Sequence, residues 1–303
     1  MTQRTYRGCY TAIVTPFDRH GQFDETTMRD LVEWQITSGI DGLVVCGTTG
    51  ESVTLDTNET ERVMRTVIEQ ANGRVPVICG AGTNNTSDAI ERTIVAESLG
   101  ADGILSVAPY YNKPTQAGFI AHFEAIANAV SLPIILYNVP GRTGSNMKAE
   151  TTLELARIPH IVAVKEASGN LEQVMQIIRD RPENFSVLSG DDALALPMIG
   201  AGADGVISVL SNEVPAQFTS LVHAALEGDF TTARDLQNRF LNLMQLNFIE
   251  SNPIPAKTAL ALMGRVEEVF RLPLVPMETT TRNRLQNELE ALGLLQQENV
   301  IIG

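Results

Sequence analysis

The chain has 303 residues, of which 44% are hydrophobic, and it carries a formal net charge of −14 at pH 7. This acidic balance argues against binding to nucleic acid or to anionic membranes, and no apolar run approaches the roughly 18 residues of a membrane span. The first residues lack the apolar stretch of a signal peptide, so we expect a cytoplasmic protein. Three widely spaced cysteines in apolar segments indicate buried free thiols rather than disulfides or a metal site.

One pattern repeats along the chain: a short apolar, β-branched run is followed by a polar or glycine-rich turn and then by an amphipathic stretch. Eight such runs predict strands, at Tyr10–Thr15, Gly42–Cys46, Pro76–Gly80, Gly103–Ala108, Pro133–Tyr137, Ile161–Lys165, Ser186–Ser189 and Gly205–Val209. The stretches between them predict helices, among them Glu25–Thr37, Asn58–Ala71, Thr86–Leu99, Thr115–Val130, Ala149–Ala156 and Leu171–Arg179. Alternating strands and helices form a parallel sheet, and eight units in about 220 residues predict an α/β fold of the (β/α)8 TIM-barrel type.

The competing architecture is an open doubly wound sheet, whose first strand is usually followed by Gly-x-Gly-x-x-Gly. Here the first predicted strand runs into Thr15-Pro16-Phe17-Asp18, which contains no glycine. After Pro215 the pattern changes, and only helices are predicted, at Gln217–Leu226, Phe230–Leu246, Ile254–Met263 and Thr279–Leu292. We therefore predict a barrel over residues 1–227 and a C-terminal helical extension over residues 228–303, in which residues 296–303 have no assigned structure.

Three predicted turns between a helix and the next strand repeat the phrase Gly-x-Asp-Gly, at residues 39–42, 100–103 and 202–205. The first glycine suits the left-handed C-cap of a helix, and the second begins the strand. The repeat predicts a structural role at the face of the barrel opposite the active site.

The chain contains only four lysines, and one of them ends a predicted buried strand. Lys165 closes the run Ile161–Lys165, whereas Lys113, Lys148 and Lys257 lie in polar or turn-like sequence. A desolvated lysine has a lowered pKa and can attack a carbonyl to form a Schiff base. The alternative is that Lys165 extends past the strand end to pair with a carboxylate.

Catalytic residues of (β/α)8 barrels come from the C-terminal ends of the strands and from the loops that follow. Tyr137 ends the strand before that of Lys165, so its phenol is a candidate for proton transfer at the lysine, or else an amphipathic cap on the barrel mouth. The turn Gly47-Thr48-Thr49-Gly50 offers two hydroxyls and open backbone amides to a small carboxylate. Arg142, in a Pro-Gly turn, is a candidate second carboxylate clamp or a surface arginine.

Metal and phosphate sites are not indicated at these strand ends. None of the four histidines ends a predicted strand, and the adjacent side chains of Asp191 and Asp192 point to opposite faces, which makes a poor chelate. The usual barrel phosphate site follows the seventh and eighth strands, where these two aspartates stand. The residues therefore predict a Schiff-base-forming lyase or aldolase that acts on small carboxylates without a metal or other cofactor.

Four strand-end segments, taken together, resemble the dihydrodipicolinate synthase and N-acetylneuraminate lyase family of class I aldolases, and the resemblance extends from about Gly8 to Leu294. The segments are Gly-Thr-Thr-Gly-Glu at 47–51, Tyr-Tyr-Asn-Lys-Pro at 110–114, Tyr-Asn-Val-Pro-Gly-Arg-Thr at 137–143 and Lys-Glu-Ala-Ser-Gly at 165–169. Arg142, the segment Asn252–Lys257 and the turn at 47–51 favour the synthase branch, because neuraminate lyases usually carry Gly-Ser-Thr-Gly-Glu where this chain has Thr48. That branch condenses pyruvate with L-aspartate 4-semialdehyde to form 4-hydroxy-tetrahydrodipicolinate in diaminopimelate and lysine biosynthesis.

Two other interpretations stay open from the sequence. A sister aldolase, such as an N-acetylneuraminate lyase or a lyase of another 2-keto-3-deoxy acid, would keep Lys165 and Tyr137 and accept a different aldehyde. A non-catalytic barrel that binds a metabolite tends to lose the nucleophile or the proton relay, and this chain keeps both.

The resemblance implies catalytic roles for four residues. Lys165 forms the Schiff base with pyruvate, and Tyr137 transfers protons at the forming imine. Thr48 and Tyr111 relay protons to solvent, and Tyr111 is expected to act in the site of a neighbouring subunit.

The resemblance also implies substrate contacts and an assembly. Thr49, Gly190 and the backbone near Ile207 hold pyruvate, and Arg142 receives the carboxylate of L-aspartate 4-semialdehyde. No metal is implied. The family usually assembles as a homotetramer, a dimer of dimers.

Lysine inhibits some members of this family at a dimer interface below Tyr110. That site uses an asparagine, matched here by Asn84, and an acid, where this chain has Asp88. Inhibited relatives also carry histidines shortly after the Gly-Thr-Thr-Gly-Glu-Ser turn, where this chain has Thr57 and Thr60. We expect weak inhibition by lysine or none.

Overall fold

The computed structural model describes residues 6–295, and its central feature is a closed barrel of eight parallel strands. The strands follow one another around the barrel in chain order, and the last pairs with the first. They are β1 (Gly8–Ala12), β2 (Gly42–Val45), β3 (Val77–Gly80), β4 (Gly103–Val107), β5 (Ile134–Asn138), β6 (Ile161–Glu166), β7 (Ser186–Ser189) and β8 (Gly205–Ser208). The predicted (β/α)8 barrel is confirmed.

Helices surround the barrel and continue beyond it. Within residues 6–295 they are α1 (Glu25–Thr37), α2 (Thr57–Ala71), α3 (Thr86–Ser98), α4 (Gln116–Ala127), α5 (Pro140–Thr143), α6 (Ala149–Leu155), α7 (Leu171–Asp180), α8 (Ala195–Gly200), α9 (Pro215–Glu227), α10 (Phe230–Leu246), α11 (Ile254–Leu262) and α12 (Thr279–Ala291). Short 3-10 helices, Ser52–Thr54 and Leu210–Asn212, follow β2 and β8. The predicted C-terminal helices are present as α10–α12. The division of the chain after residue 227 stays a prediction, and residues 296–303 lie outside the described part.

The predicted elements differ from the structure mainly at β1 and at two short helices. β1 spans Gly8–Ala12 instead of Tyr10–Thr15. Val14 is fully buried, but its N–H donates to Asn212 Oδ1 at 3.1 Å rather than to a strand. The apolar run therefore reflects burial of a loop as well as strand pairing. The helices α5 and α8 have only 4 and 6 residues, too few to display a helical period.

The repeated Gly-x-Asp-Gly turns have a shared hydrogen-bonding role at the N-terminal face of the barrel. Their first glycines have left-handed φ angles of 86° to 105°. Asp41, Asp102 and Asp204 each accept a hydrogen bond from a backbone N–H of a neighbouring strand, at 2.7, 3.0 and 2.8 Å. These bonds satisfy amides at the strand starts, in agreement with the structural role predicted for the repeat.

Separate apolar clusters fill the barrel and attach the extension to it. The interior cluster includes Tyr10, Ala12, Val44, Ile78, Leu105, Ile135, Tyr137, Ala163, Leu188 and Ile207. A second cluster joins Cys9 of β1 and Val206 of β8 to buried residues of α9–α12, such as Phe218 and Phe240. The extension therefore packs against the β1–β8 side of the barrel. The three cysteines are buried and free, as predicted.

Candidate active site

Lys165 lies in β6, one residue before the strand ends, and its side chain faces the inside of the barrel. The residue is only 6% exposed. Burial lowers the pKa of Lys165 to about 8; Asp192 opposes this decrease and Arg142 adds to it. The next residue, Glu166, faces the opposite side, where it accepts a hydrogen bond from Asn138 Nδ2 at 3.1 Å. Lys165 is thus a buried amine inside the barrel and does not extend past the strand end.

Tyr137 of β5 is paired in register with Lys165 on the neighbouring strand. Lys165 Nζ lies 4.5 Å from the centroid of the Tyr137 ring. Burial raises the pKa of the Tyr137 phenol, whereas Arg142 and a hydrogen bond with the Thr48 side chain oppose the increase. The Tyr137 ring therefore lies beside the amine, and its hydroxyl is bonded to a second hydroxyl through which protons can pass.

A cavity of about 190 Å³ lies at the C-terminal ends of the strands, where barrels of this type hold their active sites. Six of the eight predicted site residues line it, namely Thr48, Thr49, Tyr137, Arg142, Lys165 and Gly190. Apolar side chains, including Val44 and Leu105, line the cavity as well. A small keto acid in this space would meet an amine, several hydroxyls and a guanidinium in partly apolar surroundings.

The threonine turn, Gly47–Gly50, follows β2 and carries two hydroxyls. It is closed by a hydrogen bond from Gly50 N–H to the Gly47 carbonyl at 3.1 Å. Thr49 is buried, and its Oγ1 accepts a hydrogen bond from Asn252 Nδ2 at 3.0 Å. Because Thr49 Oγ1 is the acceptor in that bond, its own proton is free to be donated to a substrate carboxylate.

Gly190 follows β7 and makes room for the catalytic lysine. A Cβ atom at this position would lie 2.6 Å from Ala167 Cβ and 3.1 Å from Lys165 Cε. Both distances are shorter than ordinary contacts in a packed interior, so a larger residue would displace the lysine side chain. The glycine predicted to lie near pyruvate thus also defines the position of Lys165.

Arg142 lies on the short helix α5 and is exposed. Its Nη2 donates to the Asn252 carbonyl at 3.2 Å. The side chain lines the central cavity and also a second cavity of about 370 Å³, which Tyr110 and Arg92 help to line. This position, between Lys165 and the outer cavity, is suited to a carboxylate that enters from solvent.

Two predicted residues do not line the central cavity of this chain. Ile207 is buried in β8, and Val209 is the nearby residue that reaches the cavity. Tyr111 has a left-handed φ of 71° and is 89% exposed, so its ring is not packed against its own barrel. Its role in the site of a neighbouring subunit stays a prediction, as does pyruvate binding by the backbone near Ile207.

Asp192 and Asn252 belong to the site but were not predicted as functional residues. Asp192 is 1% exposed, and its Oδ2 accepts from the N–H groups of Val209 and Leu210 at 3.1 and 2.8 Å. Burial raises the pKa of Asp192 to about 6. Asp191 lines the cavity instead, so the two side chains diverge as expected for adjacent residues.

The prediction that Lys257 lies in polar or turn-like surroundings is wrong. Lys257 is fully buried on α11, and its Nζ donates to Glu51 Oε1 at 2.6 Å. The helix itself was predicted, over Ile254–Met263, and its prolines lie at its N-terminus. The partner Glu51 is 206 positions away, so no local pattern indicated the ion pair.

The described residues offer neither a cluster of metal ligands nor a membrane-spanning helix. Among residues 6–295, no group of three or more His, Cys, Asp or Glu side chains is arranged to hold a metal ion. The described helices also include none with the length and apolar character needed to cross a membrane. The absence of a cofactor stays a prediction.

Residues 5–292 match the dihydrodipicolinate synthetase family. A 4-hydroxy-tetrahydrodipicolinate synthase from Koribacter versatilis is 52% identical over 295 residues, which are 97% of this chain and 98% of that protein. The chloride-inhibited dihydrodipicolinate synthase from Acinetobacter baumannii, solved with pyruvate, has 44% identity and a TM-score of 0.94, covering 96% of this chain and 100% of that one. The enzyme from Cyanidioschyzon merolae, solved with lysine bound, has 43% identity and a TM-score of 0.93 over 96% and 99% of the two chains. The chain belongs to the dihydrodipicolinate synthetase family.

Proposed function

We propose that this protein condenses pyruvate with L-aspartate 4-semialdehyde through a Schiff base on Lys165. The product is 4-hydroxy-tetrahydrodipicolinate, which leads to diaminopimelate and lysine. The observation that carries the proposal is a buried amine in register with Tyr137, in a chain about half identical to curated synthases. A relative of known structure holds pyruvate, in agreement with the first substrate.

The first half of the reaction forms the imine. The neutral Nζ of Lys165 attacks C2 of pyruvate, and the adduct then loses water to give a protonated imine. Tyr137 supplies and removes the protons, because its ring lies beside Nζ. Thr48, hydrogen-bonded to Tyr137, passes protons on, and Tyr111 of a neighbouring subunit completes the relay to solvent.

The second half forms the carbon–carbon bond. Loss of a proton from C3 of the imine gives an enamine, whose C3 attacks the aldehyde carbon of L-aspartate 4-semialdehyde. Arg142 receives the carboxylate of this second substrate. The amino group of the adduct then attacks C2 of the imine, and Lys165 leaves as the free amine while the ring closes.

The first substrate is held by contacts around the lysine. The free proton of the Thr49 hydroxyl is donated to the pyruvate carboxylate, because Asn252 already donates to its oxygen. Gly190 and the backbone near Ile207 complete the pyruvate site. No metal is needed, because the imine itself withdraws electrons from C3.

We further propose a cytoplasmic homotetramer built as a dimer of dimers. The exposed Tyr111 supports this assembly, since a tyrosine that is 89% exposed in one chain is available to a neighbouring subunit. Sedimentation of the purified protein at several concentrations tests it. A monomer with full turnover would exclude a role for Tyr111 in a partner's site.

The decisive experiment is turnover of pyruvate with L-aspartate 4-semialdehyde in the absence of added metal. We expect rapid formation of the cyclic product and trapping of a pyruvate adduct on Lys165 by borohydride. Lys165→Arg keeps the charge but loses the nucleophile, so trapping should vanish and turnover should fall by roughly 10³-fold or more. Absence of product from folded protein would favour a sister aldolase, which release of pyruvate from N-acetylneuraminate or a related acid would detect.

A further inference from the structure

The one fully buried ion pair in residues 6–295 joins the C-terminal extension to the active-site side of the barrel. Lys257 of α11 and Glu51, which follows the threonine turn, have side chains that are 0% exposed, with Nζ and Oε1 2.6 Å apart. A buried ion pair of this kind seldom stabilises a fold more than apolar residues of similar volume would. Its location therefore calls for an explanation other than stability.

Aromatic rings hold Lys257 at this place. Its Nζ lies 4.0 Å from the centroid of Phe17, in the loop after β1, and 5.4 Å from that of Phe270. Arg271 contacts the Phe17 ring at 4.2 Å and forms two hydrogen bonds with Glu59 at 2.6 and 2.7 Å. Aromatic rings thus surround the Lys257 ammonium, and Glu51 is the carboxylate to which it donates.

Glu51 follows the threonine turn directly and has an unusual backbone conformation. It has φ and ψ angles of 51° and 33°, a left-handed conformation that is uncommon for a residue with a side chain. Its N–H donates to the Thr48 carbonyl at 3.1 Å. A left-handed backbone at a non-glycine residue persists only when its surroundings hold it, and here the buried carboxylate is held by Lys257.

The same segment of the extension contacts the turn a second time. Asn252, five residues before Lys257, donates to Thr49 Oγ1 at 3.0 Å and accepts from Arg142 at 3.2 Å. The extension therefore contacts this region twice: Asn252 bonds to Thr49 within the threonine turn, and Lys257 bonds to Glu51 directly after it.

We propose that Lys257 is a positioning residue for the reaction: through Glu51 it holds the threonine turn so that Thr48 meets Tyr137 and Thr49 faces pyruvate. This inference rests on the proposed function of the site. It makes the C-terminal extension a part of the active site and not only a cover for the β1–β8 side of the barrel.

The test compares Lys257→Met with the double variant Lys257→Met/Glu51→Gln, which removes both charges and leaves no unpaired ion. If Lys257 positions the turn, kcat/KM for pyruvate falls about 100-fold in both variants, since a displacement of about 1 Å has an effect of that size. The KM for pyruvate rises and kcat falls. The KM for L-aspartate 4-semialdehyde stays within about twofold, because Arg142 is not held by Glu51.

The matched control is Arg181→Met, which removes a partly buried ion pair with Asp204 at the opposite face of the barrel. It should lower the melting temperature without changing either KM. Hydrogen exchange of the Gly50 and Glu51 amides gives a readout that needs no substrate, and it should accelerate in the Lys257 variants. If the wild-type protein shows no turnover, the proposed function is wrong, but the exchange rates of the Gly50 and Glu51 amides still test whether Lys257 holds the turn.

Three outcomes would overturn the inference. One is a double variant with wild-type kinetics, because the pair would then be dispensable for catalysis. Another is a lower kcat with both KM values unchanged, as expected from a smaller folded fraction alone. The third is insoluble protein from both variants, which would make the pair a requirement for folding.

Discussion

The lowered pKa of Lys165 leads to a quantitative expectation for the pH dependence of catalysis. Only the neutral amine attacks pyruvate, so kcat/KM for pyruvate should rise with pH and level off above the pKa of Lys165 in the free enzyme. Burial places that pKa at about 8. The increase should therefore be centred near pH 8 and not near 10.5, the ordinary value for lysine.

The size of the effect follows from the two pKa values. At pH 7.4 a pKa of about 8 leaves about 20% of Lys165 neutral, whereas a pKa of 10.5 would leave about 0.08% neutral. Burial thus increases the reactive fraction about 250-fold, which corresponds to about 3 kcal/mol. The source of this energy is the folded barrel, which keeps water away from the amine.

Asp192 gives a way to change this pKa in a known direction. Its own pKa, raised by burial to about 6, leaves it ionised where Lys165 titrates, and its negative charge favours the protonated lysine. Asp192→Asn keeps an oxygen that accepts from the Val209 and Leu210 amides. It should lower the pKa of Lys165 by about one unit and increase the relative rate at low pH.

Initial rates at low pyruvate, measured from about pH 6 to 10 at constant ionic strength, provide the assay. The rate of borohydride trapping, which does not depend on the second substrate, should show the same midpoint. A midpoint at pH 10 or above in both measurements would refute the argument from burial. A midpoint that rises in Asp192→Asn would show that the sign of the electrostatic argument is wrong.

Three further predictions concern single positions. Gly190→Ala places a Cβ 3.1 Å from Lys165 Cε, so kcat/KM should fall about 100-fold and the free energy of unfolding by about 1–3 kcal/mol. Wild-type kinetics would show that the lysine has room to move. Tyr111→Phe should reduce turnover without lowering the melting temperature, because the ring is exposed in one chain; an unchanged rate would remove Tyr111 from the relay. Lysine should inhibit weakly or not at all, because this chain has Thr57 and Thr60 where inhibited relatives carry histidines. The KM for pyruvate is typically micromolar to millimolar, and half-inhibition by lysine at less than about ten times that KM would contradict this expectation.

Much of the site could be predicted because barrel catalysis depends on local sequence at strand ends. Lys165 and Tyr137 each terminate a short apolar run, and the barrel brings those ends together whatever the details of packing. The threonine turn follows the same logic, whereas the role of Gly190 was implied only by the family resemblance. The position of the turn was predictable once the strands were counted correctly.

Other contacts join segments that are far apart in sequence. The bond from Asn252 to Thr49 spans 203 positions, and no periodicity in either segment indicates it. Lys257 was misjudged although its helix was predicted, because its burial depends on packing of the extension against the barrel. The apolar residues that follow Ala12 lie in a buried loop after β1, and hydrophobicity alone does not distinguish a buried loop from a paired strand.

Hydrophobic period and strand-end residues are local properties of the chain, and they were enough to predict the number and order of the strands and the positions of Lys165 and Tyr137. Three features became evident only in the folded protein: the contacts between the extension and the threonine turn, the effects of Asp192 and Arg142 on the pKa of Lys165, and the exposure of Tyr111. These features depend on desolvation and on distances between remote segments. Both quantities exist only after the chain has folded.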